Sequence, residues 1–248
     1  MAKIPAEVLL ESPDNDSRLW VVIPAGGTGS RMGGPPKQYR PLGGSTVIEQ
    51  TMQPFLSRGD MAGIVLCLSE HDLQGRQIAA TLSQCHVADA GTERSDSVLN
   101  GLRWLVDTGT AKPNDWVLVH DAARPCLPAA DLKKLIDCCC AAGNGGLLAL
   151  PVRDTLKYSA DNKLAEKTID RSPLWQALTP QMFPLAQLHH ALVHCAENQL
   201  SVTDEASAIE QLGHRPQLVV GSALNLKVTW PGDLEIAERL LPLARTEP

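Results

Sequence analysis

Residues 21–37 read VVIPAGGTGSRMGGPPK, an apolar strand that runs into a glycine-rich turn and ends at a lysine. Glycines have no Cβ, so backbone N–H groups can converge on an anion where larger side chains would clash. Arg31 and Lys37 add two positive charges to the same loop. A tight turn formed for packing alone would explain the glycines but not the cations. The stretch therefore favours a binding site for nucleotide phosphates.

This loop differs from the two commonest phosphate-binding glycine loops. A P-loop continues into Gly-Lys-Ser/Thr at the start of a helix, whereas Pro35 and Pro36 follow Gly34 here and stop a helix from starting. A dinucleotide-binding fold needs its last glycine inside a helix and an acid at the end of the second strand. Glu70 could be that acid, but the prolines argue against the helix.

Length and charge limit the classes of protein that need to be considered. The chain has 248 residues, enough for one sizeable core or two small ones. Its net charge of −6 argues against a nucleic-acid partner, whose binding surface is usually basic. No segment is long and apolar enough to span a membrane. Seven cysteines without a CxxC pair predict free thiols in a reducing compartment, and hence a cytoplasmic protein.

Two regions are predicted along the chain. Residues 1–18 are acidic and lack a long apolar run, so we expect a disordered leader. Residues 19–245 are predicted to form the domain, in which apolar strands separated by helices are typical of a mostly parallel sheet covered on both faces. The predicted strands are residues 19–24, 63–68, 85–88, 116–119 and 146–150, and the predicted helices are residues 46–56, 72–82, 95–106, 131–141, 204–212 and about 233–241.

Ligands of such sheets bind beyond the carboxyl ends of the strands. Besides the glycine loop, GTERSDS at residues 91–97 and HDAARP at residues 120–125 follow predicted strands. Asp121 has the position of a carboxylate that holds Mg²⁺ beside substrate phosphates, although a turn aspartate bonded to backbone amides has the same pattern. Likewise, Ser97 is either a ligand contact or a helix cap, and Arg124 either a ligand contact or the partner of a carboxylate.

Residues 151–181 interrupt the alternation of strands and helices, and we call them the β-arm. Residues 155–159 and 164–168 flank a polar turn and predict a β-hairpin. A two-stranded ribbon is barely stable alone, so we expect it to dock, either on a second subunit or on its own domain.

Seven motifs, which follow one another along the chain, resemble those of the 2-C-methyl-D-erythritol 4-phosphate cytidylyltransferase family of the non-mevalonate isoprenoid route. They cover nearly the whole chain, whereas the glycine loop alone would also suit sugar-1-phosphate nucleotidylyltransferases. The resemblance implies a Rossmann-like nucleotidyltransferase fold, CTP as substrate, Mg²⁺, and a homodimer formed through the β-arm. The motifs are PAGGTGSRMGGPPKQY, GTERSDSVLNGL, HDAARP, PVRDTLK, LWQALTPQ, TDEAS and NLKVT.

The implied reaction joins the 4-phosphate of methylerythritol phosphate to the α-phosphorus of CTP, and pyrophosphate leaves. A phosphate monoester is already an anionic nucleophile, so no general base is needed. Alignment and charge neutralisation are needed instead. The resemblance assigns this work to Arg31, Lys37 and Lys227, with Asp121 as the metal ligand.

The remaining site residues are carried over from their motif positions. Thr155 and Arg171 would reach the substrate phosphate of the partner subunit from the β-arm. Asp204 and Glu205 open a helix, where capping alone would account for them. The implied nucleotide contacts are Pro24, Ala25, Gly26, Gly27, Gly91, Ser97, Asp121 and Ala122. The implied contacts of the second substrate are Arg124, Thr155, Arg171, Thr179 and Thr203, with Arg153 and Asp154 as further candidates.

The chain departs from the family pattern at two positions. Leu224 stands where many members have an aspartate that is a proposed second metal contact, and leucine cannot ligate Mg²⁺. Asp121 is therefore predicted to be the one protein carboxylate on the metal. Ser30 stands where some relatives have a second arginine, which removes one cation from the phosphate site.

Two other functions stay open on the residues alone. A sugar-1-phosphate nucleotidylyltransferase would use the same loop with a different acceptor pocket. A nucleotide-binding module without catalysis, or a dinucleotide-dependent dehydrogenase, would bind a nucleotide but release no pyrophosphate.

Overall fold

The structure is a computed structural model, and it describes residues 16–27 and 36–246. Its strands are β1 (Leu19–Pro24), β2 (Pro41–Leu42), β3 (Ser45–Thr46), β4 (Met61–Leu68), β5 (Cys85–Asp89), β6 (Trp116–Val119), β7 (Gly146–Pro151), β8 (Leu156–Tyr158), β9 (Lys167–Ile169), β10 (Trp175–Pro184) and β11 (Gln217–Val220). Its helices are α1 (Val47–Leu56), α2 (Leu73–Ala80), α3 (Arg94–Asp107), α4 (Ala129–Ala142), α5 (Leu185–Glu197), α6 (Glu205–Gln211) and α7 (Asp233–Arg245).

Seven strands form the central sheet, in the order β11-β7-β10-β6-β1-β4-β5. Strand β10 runs antiparallel to both of its neighbours, and the other neighbouring strands are parallel. The predicted α/β fold with a mostly parallel, Rossmann-like sheet is therefore confirmed.

Helices cover both faces of this sheet. Along β1, Val21 and Ile23 pack with α1 and α4, whereas Trp20 and Val22 pack with α3, α5 and α6 on the opposite face. This alternation follows from the two-residue period of a strand. Both faces are buried, which explains why the predicted strands are continuous apolar runs. Among the described helices, none is long and apolar enough to cross a membrane.

The β-arm forms the predicted hairpin, but with different limits. Strands β8 and β9 pair antiparallel, with Leu156 opposite Ile169. The second strand starts later than residue 164 because the Asp161 carboxylate accepts hydrogen bonds from the backbone N–H groups of Lys163 and Leu164 and extends the turn. The predicted end at residue 181 lies inside β10, a strand of the central sheet that begins at Trp175, so the name β-arm is used below for residues 152–174.

The folded domain begins before the predicted boundary at residue 19. Residues 1–15 lie outside the described part of the chain. The backbone N–H of Arg18 donates a hydrogen bond to Asp115 Oδ1 at 2.9 Å, and its guanidinium lies 3.2 Å from Asp115 Oδ2. Asp115 is fully buried, so Arg18 belongs to the folded domain and not to a leader.

Candidate active site

A cavity of about 390 Å³ opens at the carboxyl ends of β1, β5 and β6, as expected for a parallel sheet. It brings together predicted residues that are far apart in the sequence. Those that line it are Pro24, Ala25, Gly26, Gly27, Lys37, Gly91, Ser97, Asp121, Ala122 and Lys227. Gln38, Thr92, Glu93, Arg94, Ala123 and Thr229 complete the lining.

Gln38 holds the described start of the glycine loop, residues 25–27, in place. The buried Gln38 side chain donates hydrogen bonds from Nε2 to the backbone oxygens of Ala25 at 3.0 Å and Gly27 at 3.3 Å. The next residue, Tyr39, donates its hydroxyl hydrogen to Asp72, which caps α2. Lys37 is thereby directed at the cavity, where its Nζ also donates to the backbone oxygen of Val228 at 3.1 Å.

The Asp121 carboxylate lies among three cations. Its Oδ1 accepts a hydrogen bond from Arg94 Nε at 2.9 Å, while Oδ2 lies 3.2 Å from Arg124 Nε and 2.9 Å from Lys227 Nζ. Burial alone would raise the pKa of Asp121, but the charges of Arg94, Lys227 and Arg124 outweigh it and hold the pKa far below its ordinary value. Asp121 is therefore ionised at every physiological pH.

The three cations differ in their second contacts. Arg94 forms a two-pronged ion pair with Glu205, with Nη1 to Oε1 at 2.6 Å and Nη2 to Oε2 at 3.1 Å. Arg124 donates from Nη1 to the backbone oxygen of Asn225 at 2.8 Å. The Lys227 side chain is 42% exposed, against 10% for Arg124, so Lys227 is the cation that can move towards a ligand.

A buried histidine supports the turn that carries Asp121. His120 Nε2 lies 3.2 Å from the backbone oxygen of Arg124, which can only accept a hydrogen bond, so this nitrogen carries the proton. In the neutral ring Nδ1 then accepts from the Thr179 hydroxyl at 3.0 Å. The same hydroxyl oxygen accepts from the backbone N–H of Asp121 at 3.1 Å. Burial lowers the pKa of His120 to about 4, which keeps the ring neutral and this arrangement intact.

This pKa predicts an acid-sensitive fold. The unfolded chain binds a proton at His120 below pH 6.5, whereas the folded chain does so only near pH 4. Stability from this residue is therefore present above pH 6.5 and lost as the pH falls to 4, by about 3 kcal/mol. Urea unfolding of the wild type and of His120→Gln across this range measures the difference. Parallel pH profiles for the two proteins would contradict the prediction.

Not every predicted site residue lines the cavity. Arg31 lies outside the described residues. Arg124 and Thr179 are buried and make the protein contacts given above. Thr203 is exposed next to the start of α6, where its backbone N–H donates to Ser207 Oγ. Thr155 and Arg171, with the neighbouring Arg153 and Asp154, are exposed on the β-arm.

Residues 19–242 match the family model IspD, described as 2-C-methyl-D-erythritol 4-phosphate cytidylyltransferase. The chain belongs to this family. Among similar proteins, the cytidylyltransferase of Pseudomonas entomophila (strain L48) is 49% identical over 88% of this chain and 93% of its own length. That of Vibrio parahaemolyticus is 44% identical over 94% of this chain and 99% of its own length.

Solved structures that resemble this chain carry names of the same cytidylyltransferase family. A crystal structure of a 4-diphosphocytidyl-2C-methyl-D-erythritol synthase has a TM-score of 0.81 and 39% identity, covering 92% of this chain and 100% of the other. The Francisella tularensis 2-C-methyl-D-erythritol 4-phosphate cytidylyltransferase has a TM-score of 0.79 and 34% identity, covering 91% and 100%. The predicted family resemblance and nucleotidyltransferase fold are confirmed.

Sequence reasoning missed three residues of this candidate site. Gln38 directly follows Lys37 in the glycine-loop motif, and Arg94 lies inside the GTERSDS segment. The motifs contain both residues, but the sequence alone gives neither of them a role. Glu205 was interpreted as a helix cap. Asp204 is the cap, because its side chain accepts a hydrogen bond from the backbone N–H of Ser207. Glu205 is buried and paired with Arg94 instead.

Two neighbouring glycines of the cytidylyltransferase loop have different reasons to be glycine. A Cβ at Gly26 would lie 2.3 Å from the Cβ of Ala90, closer than real Cβ atoms approach. A Cβ at Gly27 would meet none of the described atoms within 4 Å, and Gly27 lines the cavity. The space beside Gly26 is therefore needed by the fold, and the space beside Gly27 is available to a ligand.

We expect the two alanine variants to separate stability from nucleotide binding. Gly26→Ala should lower the free energy of unfolding by about 1–3 kcal/mol, because of the clash with Ala90. Gly27→Ala should leave it within about 0.5 kcal/mol and weaken CTP binding by about tenfold or more, because the methyl group enters the space for the ligand. Urea unfolding and calorimetric titration with CTP measure both quantities. Unchanged CTP binding by a folded Gly27→Ala protein would contradict this division.

Proposed function

We propose that this cavity is where the chain carries out the reaction of its family, with the residue roles given below. The 4-phosphate of 2-C-methyl-D-erythritol 4-phosphate attacks the α-phosphorus of CTP, which gives 4-diphosphocytidyl-2-C-methyl-D-erythritol and pyrophosphate. The observation that carries the proposal is the meeting of Gly26 and Gly27 with Lys37, Lys227 and Asp121 in one cavity. Backbone that can approach phosphates, cations and a carboxylate are what transfer between two phosphates requires.

The segment after β5 is the proposed cytidine site. The Ser97 hydroxyl accepts a hydrogen bond from the backbone N–H of Gly91 at 3.0 Å and donates to the backbone oxygen of Glu93 at 3.0 Å. The hydroxyl group thus both donates and accepts a hydrogen bond inside the loop. We therefore assign Ser97 the role of shaping this loop, so that the backbone around Gly91 faces the nucleotide.

Lys37 and Lys227 are the proposed catalytic cations, together with Arg31, which lies outside the described residues. Lys37 and Lys227 enter the cavity from different parts of the chain, and both ammonium groups can follow charge as it develops on the α-phosphate and the leaving pyrophosphate. The attacking phosphate is already ionised, so no base is required. His120, adjacent to Asp121 in sequence, is buried, neutral and fully hydrogen-bonded, which suits support of the turn and not proton transfer.

Mg²⁺ is proposed as the metal of this site. Mg²⁺ prefers oxygen ligands and often keeps several waters beside one or two carboxylates and substrate phosphates. Asp121 fits this requirement, since its ionised carboxylate lines the cavity. Its Oδ1 has one cationic partner, Arg94, whereas Oδ2 has two, Arg124 and Lys227. Within residues 16–27 and 36–246, no group of three or more His, Cys, Asp or Glu side chains could hold a metal. A bound Mg²⁺ would neutralise phosphate charge there.

A homodimer through the β-arm is proposed as the working form. The β-arm exposes large apolar side chains, with Leu164 71% and Tyr158 46% exposed, and an isolated two-stranded ribbon is marginal. Docking on a second copy would bury these side chains and bring Thr155 and Arg171 to the partner's substrate phosphate. Cytoplasmic localisation is also proposed, because the seven cysteines are all free thiols.

Pyrophosphate release tests the function. The protein is incubated with CTP and Mg²⁺, with and without methylerythritol phosphate, and Lys37→Ala is the control. We expect release that requires the acceptor and Mg²⁺ and falls by about 100-fold in Lys37→Ala. Replacing CTP by UTP or GTP, and the acceptor by sugar 1-phosphates, distinguishes the related nucleotidylyltransferases. Release with a sugar 1-phosphate and not with methylerythritol phosphate would overturn the proposal.

A further inference from the structure

Arg94 lines the nucleotide cavity beside Lys37 and Lys227, and its position alone suggests a third phosphate-binding cation. Its hydrogen bonds indicate another role. Nε donates to Asp121 Oδ1, and both terminal nitrogens donate to the Glu205 carboxylate. The guanidinium thus directs each of its three nitrogens at a carboxylate of the protein, whereas a phosphate-binding arginine presents its two-pronged edge to the ligand.

Glu205 is what holds Arg94 in this orientation. It is the first residue of α6, is 1% exposed, and accepts from the two terminal nitrogens of Arg94, whereas Asp121 accepts from Nε. A buried carboxylate without its cation is strongly unfavourable, so Glu205 keeps the guanidinium when an anionic ligand enters the cavity. The charges of Asp121 and Glu205 raise the pKa of Arg94 above its ordinary value, so the arginine stays charged.

We propose that Arg94 is a positioning residue that fixes Asp121 Oδ1, and that Glu205 prevents Arg94 from binding the triphosphate. This inference rests on the proposed function of the same cavity. It assigns the phosphate-binding work to Lys37 and Lys227, which line the same cavity, and the Lys227 side chain is 42% exposed, against 29% for Arg94. It also links the start of α6, next to the proposed substrate residue Thr203, to the carboxylate of the nucleotide site.

Glu205→Gln tests this role, because it keeps the shape of the side chain and removes its charge. Arg94 then turns towards the triphosphate and releases Asp121. We expect kcat to fall by at least about fivefold, while the Kd for CTP, measured by calorimetry without acceptor, stays within about threefold of the wild-type value or becomes lower. Glu210→Gln, an exposed position on the same helix, is the matched control and should change neither quantity.

A kcat within about fivefold of the wild-type value, or CTP binding weakened by more than about threefold, would overturn the proposal. Thermal unfolding shows whether Glu205→Gln is folded. If it is not, Arg94→Lys is measured against the same limits, since the single nitrogen of lysine cannot reproduce both the Nε contact with Asp121 and the two-pronged contact with Glu205. A phosphate-binding Arg94 would instead weaken CTP binding in Arg94→Lys. Absence of pyrophosphate release from the wild type would be a failure of the proposed function and not of this inference.

Discussion

Replacing Asp121 by Asn should lower kcat by at least about 100-fold and the free energy of unfolding by about 3–5 kcal/mol. The side chain is buried and receives Arg94, Arg124 and Lys227. The amide keeps the size of the carboxylate, but within the described part of the chain it leaves these cations with Glu205 as the one remaining carboxylate among their ion pairs. The variant therefore loses both the proposed metal ligand and the charge that holds the cations together.

Urea unfolding and steady-state kinetics measure the two effects of Asp121→Asn. Asp137→Asn is the matched control, because Asp137 forms an exposed ion pair with Lys133 that should contribute no more than about 1 kcal/mol. If Asp121→Asn unfolds at the same urea concentration as the wild type, the three ion pairs do not stabilise the fold. A kcat within tenfold of the wild-type value would remove Asp121 from the site.

Mixing two inactive variants should restore about one quarter of wild-type activity if the active site is shared between subunits. Lys37→Ala removes a side chain of the cavity, and Arg171→Ala removes a side chain of the β-arm. In a mixed dimer, one of the two sites combines the intact cavity of one subunit with the intact β-arm of the other. Random exchange makes half of the dimers mixed, and half of their sites are then complete.

The recovery of activity is measured after mild denaturation and refolding of the two variants together. Each variant refolded alone is the control, and sizing chromatography shows whether it is dimeric. Recovery near one quarter supports a β-arm that acts on the partner's site. Two inactive dimers that stay inactive after confirmed exchange would contradict it, since each site would then be built within one chain.

The central sheet was largely predictable from the sequence because its parallel strands are buried on both faces. The strands at residues 19–24, 85–88 and 116–119 lie within one residue of those observed. Strand β10 was not predicted, because Pro180 and Pro184 argue against a strand. The structure accommodates Pro180 in an irregularity of the pairing between Ala177 and Gln181.

The residues that meet at the site were predictable to a similar degree, because of the geometry of a parallel sheet. The carboxyl ends of parallel strands meet at one edge, so the glycine loop, Gly91 and Asp121 had to converge. Hydrogen bonds between distant parts of the chain were not predictable. Nothing in the TDEAS motif distinguishes a capping Asp204 from a buried Glu205, because the difference depends on where α6 meets Arg94.

Strand β10 leaves the β-arm at Trp175 and reaches Thr179 only four residues later, where the hydroxyl supports His120 and Asp121. A short stretch of strand therefore joins the end of the β-arm to the turn that carries Asp121. A compound wedged beneath Trp175, which is 38% exposed beside Leu218 in a separate surface depression, would strain that turn without competing with CTP. This depression is a second target site for inhibitor screening against this chain, and it suits molecules without phosphate groups.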